Sequence, residues 1–126
     1  MRFNAYIYRM TADANLARLE LDGVRVCFYG NTHVPGAWAR AKRGFPEEFV
    51  EPTGVLDLGR YRAILVCPGS IGQPRDGVLG AAYAMYDRPA RTVEWRRAEY
   101  DLGPLQARMQ AMDFPPRLWQ RLSEGR

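Results

Sequence analysis

Two apolar runs, VRVCFYG at 24–30 and YRAILVC at 61–67, are separated by a stretch that carries Pro35, Gly36, Gly44, Pro46, Pro52, Gly54 and Gly59. Glycine costs backbone entropy in a regular element, and proline removes a ladder donor, so the intervening stretch is expected to form little beyond short edge strands. It reads as an excursion between strands of one domain, not as a linker. In the first run Val24, Val26 and Phe28 alternate with Arg25, Cys27 and Tyr29, the period of a strand. The second is continuously apolar after Arg62, as a compact buried strand is.

Around this pair the remaining elements fall into place. TADANLARLEL at 11–21 reads as a short helix with Thr11 as its cap, Asp13 in the first turn and Leu16 and Leu19 on one face, closed by the Asp22-Gly23 turn. GAAYAMY at 80–86 and TVEWRRAEY at 92–100 read as strands joined through Asp87, Arg88 and Pro89, and are expected to pair as a hairpin. From 102 onward Leu102, Leu105, Met109 and Met112 stand at helical spacing, and after Pro115 and Pro116 a last turn or two presents Leu118, Trp119 and Leu122. The order is helix, strand, long loop, three strands, helix. At 126 residues this is one α+β domain with neither repeats nor low-complexity segments.

The charge balance is mildly basic: 18 Lys and Arg against 14 Asp and Glu give a formal charge of +4. That permits attraction to phosphates without demanding it, and the two basic groups, Arg40 with Lys42 and Arg43, and Arg96 with Arg97, read as solvated surface. Three tryptophans and seven tyrosines offer stacking area, but they stand mostly at strand and helix positions expected to face a core, so nucleic acid is not the expected partner. Cys27 and Cys67 lie forty positions apart in apolar runs, which suits buried thiols in a reducing compartment better than a zinc or disulfide pattern. No apolar run approaches the length needed to span a membrane, and the start MRFNAYIYRM is interrupted by Asn4 and Arg9, unlike a signal peptide. A cytoplasmic protein is expected.

His33, the sole histidine, stands in the loop GNTHVPGAW just beyond the first strand, two places after Asn31. Two readings stand for it, a metal ligand or a satisfied loop histidine, because a lone imidazole binds no metal tightly. Asn31 suits a turn in its own right. The turn PGSIGQPRDG at 68–77 contains Ser70 and Arg75, whose planar donors suit either a phosphate or a carboxylate, with an ion pair to Asp76 or Asp101 the commoner outcome. Cys67 with Arg75 does not make a tyrosine-phosphatase loop, since seven residues intervene. Cys27, Cys67 and His33 approach one another if their strands are neighbours, which leaves a Cys-His pair open beside plain packing.

Three stretches read together resemble the calcineurin-like metallophosphoesterases, in particular the small bacterial branch of phosphodiesterases and diadenosine-tetraphosphatase-like enzymes. GNTHVPGAW is similar to that family's Gly-His-Thr-His-Val-Pro segment, CPGSIGQPRDG to its Asn-Pro-Gly-Ser-Val-Gly-Gln-Pro-Arg-Asp-Gly turn, and EYD at 99–101 with FPPRLWQRLSEG to its C-terminal ending. The likeness runs from about residue 5 to the end, in order and with compatible spacing.

The resemblance implies the second sheet and flanking helices of an αββα sandwich, incomplete, with residues 1–126 forming the C-terminal half of the domain. A sheet without its partner would expose a broad apolar face, so self-association or docking to a separate N-terminal half is expected. The resemblance further implies metal-dependent hydrolysis of phosphomonoesters, phosphodiesters or dinucleoside polyphosphates, with Mn, Zn, Fe or Ni as the divalent metal. His33 would be a metal ligand, Asn31 a degraded ligand position, and Cys67, Ser70 and Arg75 would lie near the substrate. The family's Asp-x-His, Gly-Asp and Gly-Asn-His segments have no counterpart here. One imidazole beside a carboxamide falls short of a two-metal site, so the chain is expected to be inactive alone. A non-catalytic binding module of the same family is the alternative.

Overall fold

The computed structural model of the protein describes residues 7–42 and 48–126; Arg43, Gly44, Pro46 and the MRFNAY stretch lie outside them. Helix α1 (Arg9–Leu21) begins two residues before the expected start, with Tyr8 as its N-cap. Thr11 sits one turn inside, where its hydroxyl accepts the Tyr8 N–H at 3.1 Å and its own N–H bonds the Tyr8 carbonyl at 2.9 Å. A short hydroxyl side chain can satisfy an orphan donor from either end of the first turn, so the sequence signal was right about the turn and wrong about the position. Ala12, Leu16 and Leu19 form the buried face.

Among the described residues seven strands follow: β1 (Val26–Phe28), β2 (Gly36–Ala41), β3 (Glu48–Val50), β4 (Val55–Asp57), β5 (Tyr61–Cys67), β6 (Ala81–Asp87) and β7 (Thr92–Ala98). They make two sheets, ordered β1-β5-β2-β3 and β4-β7-β6. β1 runs parallel to β5 with Val26 opposite Ile64, while β2 runs antiparallel to β5 with Gly36 opposite Cys67. β6 and β7 form the expected hairpin, closed at Asp87 opposite Thr92. The stretch from 35 to 60 does yield the short edge strands β3 and β4. It also yields β2, which is six residues long and interior, against expectation. Its GAWARA sequence carries the small residues Ala37 and Ala39, both fully buried, so packing between layers decides a strand that local propensity does not announce.

β5 is covered on both faces, which explains its unbroken apolarity. Ile64 and Val66 face a core shared with Ala37 and Ala39 of β2 and with Leu56 and Val93 of the second sheet, Trp95 and Ala84 packing at its margin. Ala63 and Leu65 face Ala12, Leu16 and Leu19 of α1, with Cys27, Tyr29 and Trp38 alongside. The layers are therefore helix, sheet, sheet. The fold is α+β with flanking helices, as expected, but the chain carries strands of two sheets, so the inner face of β2 and β5 is covered by the chain's own hairpin.

Helix α2 (Gly103–Ala111) realises the helical spacing of Leu105 and Met109 but buries none of its residues. α3 (Pro116–Gln120) and a 3-10 turn at 121–123 follow, Leu122 reaching the interior. Gln106 Nε2 donates to the Trp119 carbonyl at 2.9 Å, tying α2 to α3.

Candidate functional site

Because β1 and β5 are parallel neighbours, the loop after each leaves the sheet at the same edge, the usual place for a site in such an arrangement. The loop of Gly30–Pro35 and the turn of 68–80 consequently meet. Asn31 (φ 73°) and His33 (φ 64°) both adopt the left-handed conformation, which asparagine tolerates well and histidine less so. The conformation brings His33 Nδ1 to 2.7 Å from the carbonyl oxygen of Gln73, and the Arg75 N–H to 3.2 Å from the His33 carbonyl. A carbonyl only accepts, so Nδ1 donates, and in the neutral ring the lone pair then lies on Nε2. Nearby, Thr32 Oγ1 lies 3.4 Å from Cys67 Sγ.

The other candidate residues are placed as follows. Cys67 is fully buried at the end of β5. Ser70 Oγ accepts the Gln73 N–H at 3.0 Å, a turn-closing role. Arg75 is exposed and its guanidinium donates to Gln73 Oε1 at 3.3 Å. The expected ion pair of Arg75 with Asp76 or Asp101 does not form among the described residues, because both carboxylates are engaged elsewhere. Asp76 pairs with Arg97, and Asp101 Oδ1 accepts the Gly103 N–H at 2.8 Å at the start of α2. Cys27 and Cys67 do sit on neighbouring strands, yet the His33 ring is turned to Gln73.

Two basic residues expected to be solvated are structural instead. Arg40 bridges β2 to α1, with Nη1 2.9 Å from Glu20 Oε2 and Nη2 on Asp13. Arg97 grips the 76–80 segment, donating to Asp76 and to the carbonyls of Val78 (2.8 Å) and Gly80 (3.1 Å). Arg96 pairs with Glu94 at 2.7 Å on the surface.

Gln73 is the residue that sequence reasoning missed. Each of its polar groups is engaged: N–H to Ser70, carbonyl to His33, Oε1 to Arg75, and Nε2 to the Arg126 carbonyl at 3.2 Å. The available signal was its place before Pro74, which disfavours a helical backbone at residue 73. At the sheet end beside this site, burial pushes the Tyr29 hydroxyl well above its ordinary pKa. A hydrogen bond with Trp38 opposes the shift. Burial also raises the Cys27 thiol.

The fold matches a metallophosphoesterase-like sandwich. The chain matches the crystal structure of a metallophosphoesterase from Sphaerobacter thermophilus at 32% identity and a TM-score of 0.78, covering 96% of this chain and 50% of that one. It matches the crystal structure of a hypothetical protein from Pyrococcus horikoshii OT3 at 19% identity and a TM-score of 0.64, over 95% of this chain and 39% of that one, a likeness of fold alone. An uncharacterized protein of Methanocaldococcus jannaschii is 31% identical over 99 residues, 79% of this chain and 39% of its own length. No family model matches the chain. The chain thus spans half or less of the length of these relatives, and the likeness supports the metallophosphoesterase family.

Metallophosphoesterases generally use divalent metals, so the donor set can be tested against one. His33 Nε2 has no hydrogen-bond partner among the described residues, and the ring is held by a carbonyl on the other nitrogen, the arrangement metal-ligating histidines adopt. Beside it Asn31 offers only an amide. Among the described residues no three His, Cys, Asp or Glu side chains gather where they could hold a metal ion. These side chains fit one ligand of a metal centre and not a pair of cations, each of which needs several donors.

Proposed function

We propose that these residues are the C-terminal part of a metal-dependent phosphoesterase of the small bacterial type, and that they turn over substrate only with the remainder of the fold. The substrate class is a phosphomonoester, a phosphodiester or a dinucleoside polyphosphate in the cytoplasm. His33 contributes one metal ligand through Nε2, Asn31 marks a weakened ligand position, and Cys67, Ser70 and Arg75 border the substrate. Of these, Arg75 is the group that meets phosphate oxygens, being exposed, and free of any carboxylate partner among the described residues. The observation that carries this reading is the 2.7 Å contact of His33 Nδ1 with the Gln73 carbonyl, which orients the opposite nitrogen as a ligand. The Asp-x-His and Gly-Asn-His segments are supplied by an N-terminal half, which a second copy of these residues does not carry; self-association would only cover apolar surface.

The alternative, a non-catalytic module of the same family, is favoured by one feature, the amide of Asn31 where the resemblance calls for an imidazole. An assay of the 126-residue chain with Mn, Ni or Zn on an aryl phosphodiester and an aryl phosphomonoester tests both. We expect no metal-dependent hydrolysis by the chain alone, and hydrolysis once a chain carrying the complementary segments is added, lost in His33→Ala. Turnover by the chain alone that vanishes in His33→Ala would overturn the dependence on a second half. Absence of turnover with the complementary half supplied would favour the module.

A further inference from the structure

We infer that the segment 121–126 is a strap that sets the orientation of His33, with Gly125 and Gln73 as its positioning residues. The inference rests on the reading of His33 as a ligand for its consequence, but its geometry stands independently. The Arg121 carbonyl accepts the N–H groups of Glu124 (3.1 Å) and Arg126 (3.2 Å), curling the chain so that Gly125 lands on the 70–78 turn. There the Gly125 carbonyl accepts the Gly77 N–H at 3.1 Å, and one residue on, the Arg126 carbonyl accepts Gln73 Nε2 at 3.2 Å. Gln73 passes the constraint on through its own carbonyl to His33 Nδ1.

Gly125 is held in place by two requirements that only glycine meets. Its φ is 69°, and a Cβ there would stand 2.9 Å from Gly77 C and 3.0 Å from Val78 N, both backbone atoms that cannot swing aside. A side chain at 125 therefore pushes the strap off the turn. The far side of the turn is clamped by Arg97 on Asp76, Val78 and Gly80, so displacement falls on the near side, where Gln73 holds the ring. Without that carbonyl the imidazole loses the partner that fixes its proton on Nδ1.

A chain with a single histidine makes this directly readable. Long-range proton–nitrogen NMR of the imidazole, with the ring neutral, reports which nitrogen bears the proton. In the wild-type chain we expect the Nδ1–H form. In Gly125→Ala, and in Gln73→Ala, which keeps the backbone carbonyl but cuts the tie to residue 126, we expect the Nδ1–H pattern to give way to a mixed or Nε2–H pattern, with circular dichroism unchanged. Gly54→Ala is the control, since Gly54 shares the left-handed φ at 62° but a Cβ there meets nothing within 4 Å. It should leave the His33 pattern as in wild type. An Nε2–H ring in the wild type, an unchanged Nδ1–H pattern in both variants, or a Gly54→Ala pattern shifted like theirs would overturn the strap. None of these outcomes bears on whether a completed protein hydrolyses phosphate esters, so the two proposals fail separately.

Discussion

Trp95 Nε1 donates to the carbonyl oxygen of Cys67 at 2.8 Å, a bond that crosses from the second sheet to the last residue of β5, where the first sheet ends beneath the His33 loop. The indole is half-buried against the inter-sheet core, so it joins the layers by packing as well as by its N–H. Trp95→Phe should keep most of the packing, leave a buried carbonyl without this donor, and cost about 1–2 kcal/mol in urea unfolding. A loss within error of zero would show that the bond contributes nothing to holding the sheets together.

Arg97 serves three acceptors lying in different directions, and its guanidinium fork can reach them together where an ammonium cannot. Side-chain exposure is 22% for Arg97 and 15% for Asp76, so the pair is substantially withdrawn from water. Arg97→Lys should destabilise by about 1–3 kcal/mol, because it strands carbonyls and strains the partner carboxylate. Hydrogen exchange should locate the loosening in 76–80. Uniform exchange across the chain would contradict this.

Gly69 takes φ 98°, and a Cβ there would meet Ala82 Cβ at 2.6 Å and Pro35 Cβ at 3.2 Å. The turn after β5 therefore packs between β6 and the His33 loop only with glycine at this position. Gly69→Ala should cost about 2 kcal/mol or more, from left-handed strain together with overpacking. If thermal unfolding of the variant matches wild type, the close approach is not as described.

Stability should fall at alkaline pH for a specific reason. Burial raises the Tyr29 hydroxyl in the folded chain, so the unfolded chain gives up that proton first and is favoured by each further step in pH. The contribution is intact below about pH 10, the ordinary tyrosine value, and is lost as pH rises beyond it. Cys27 has the same sign, beginning near the ordinary thiol value of about 8.5. Urea midpoints measured across this range should decline less steeply in Tyr29→Phe than in wild type. Parallel curves would remove Tyr29 from the account.

The sequence by itself determined the parts whose neighbours are close along the chain. Alternation in VRVCFYG, unbroken apolarity in YRAILVC and the turn at Asp87-Arg88-Pro89 are local signals, and β1, β5 and the β6–β7 hairpin appear where those signals stand. The family likeness was legible too, because the GNTHVP loop and the CPGSIGQPRDG turn resemble the family's segments apart from Asn31 and come in the same order. Tertiary structure decided the rest. β2 became an interior strand because alanines at 37 and 39 let two layers close on it, a fact about facing surfaces that no single window contains. Arg40 and Arg97 left the solvent because acceptors from distant segments converged on them. Gln73, unremarkable in a polar turn, became the hub of the site only when folding brought His33, forty residues earlier, and Arg126, fifty-three residues later, to opposite ends of it. A side chain's role follows from what surrounds it, and here the surroundings come from parts of the chain far from Gln73 in sequence.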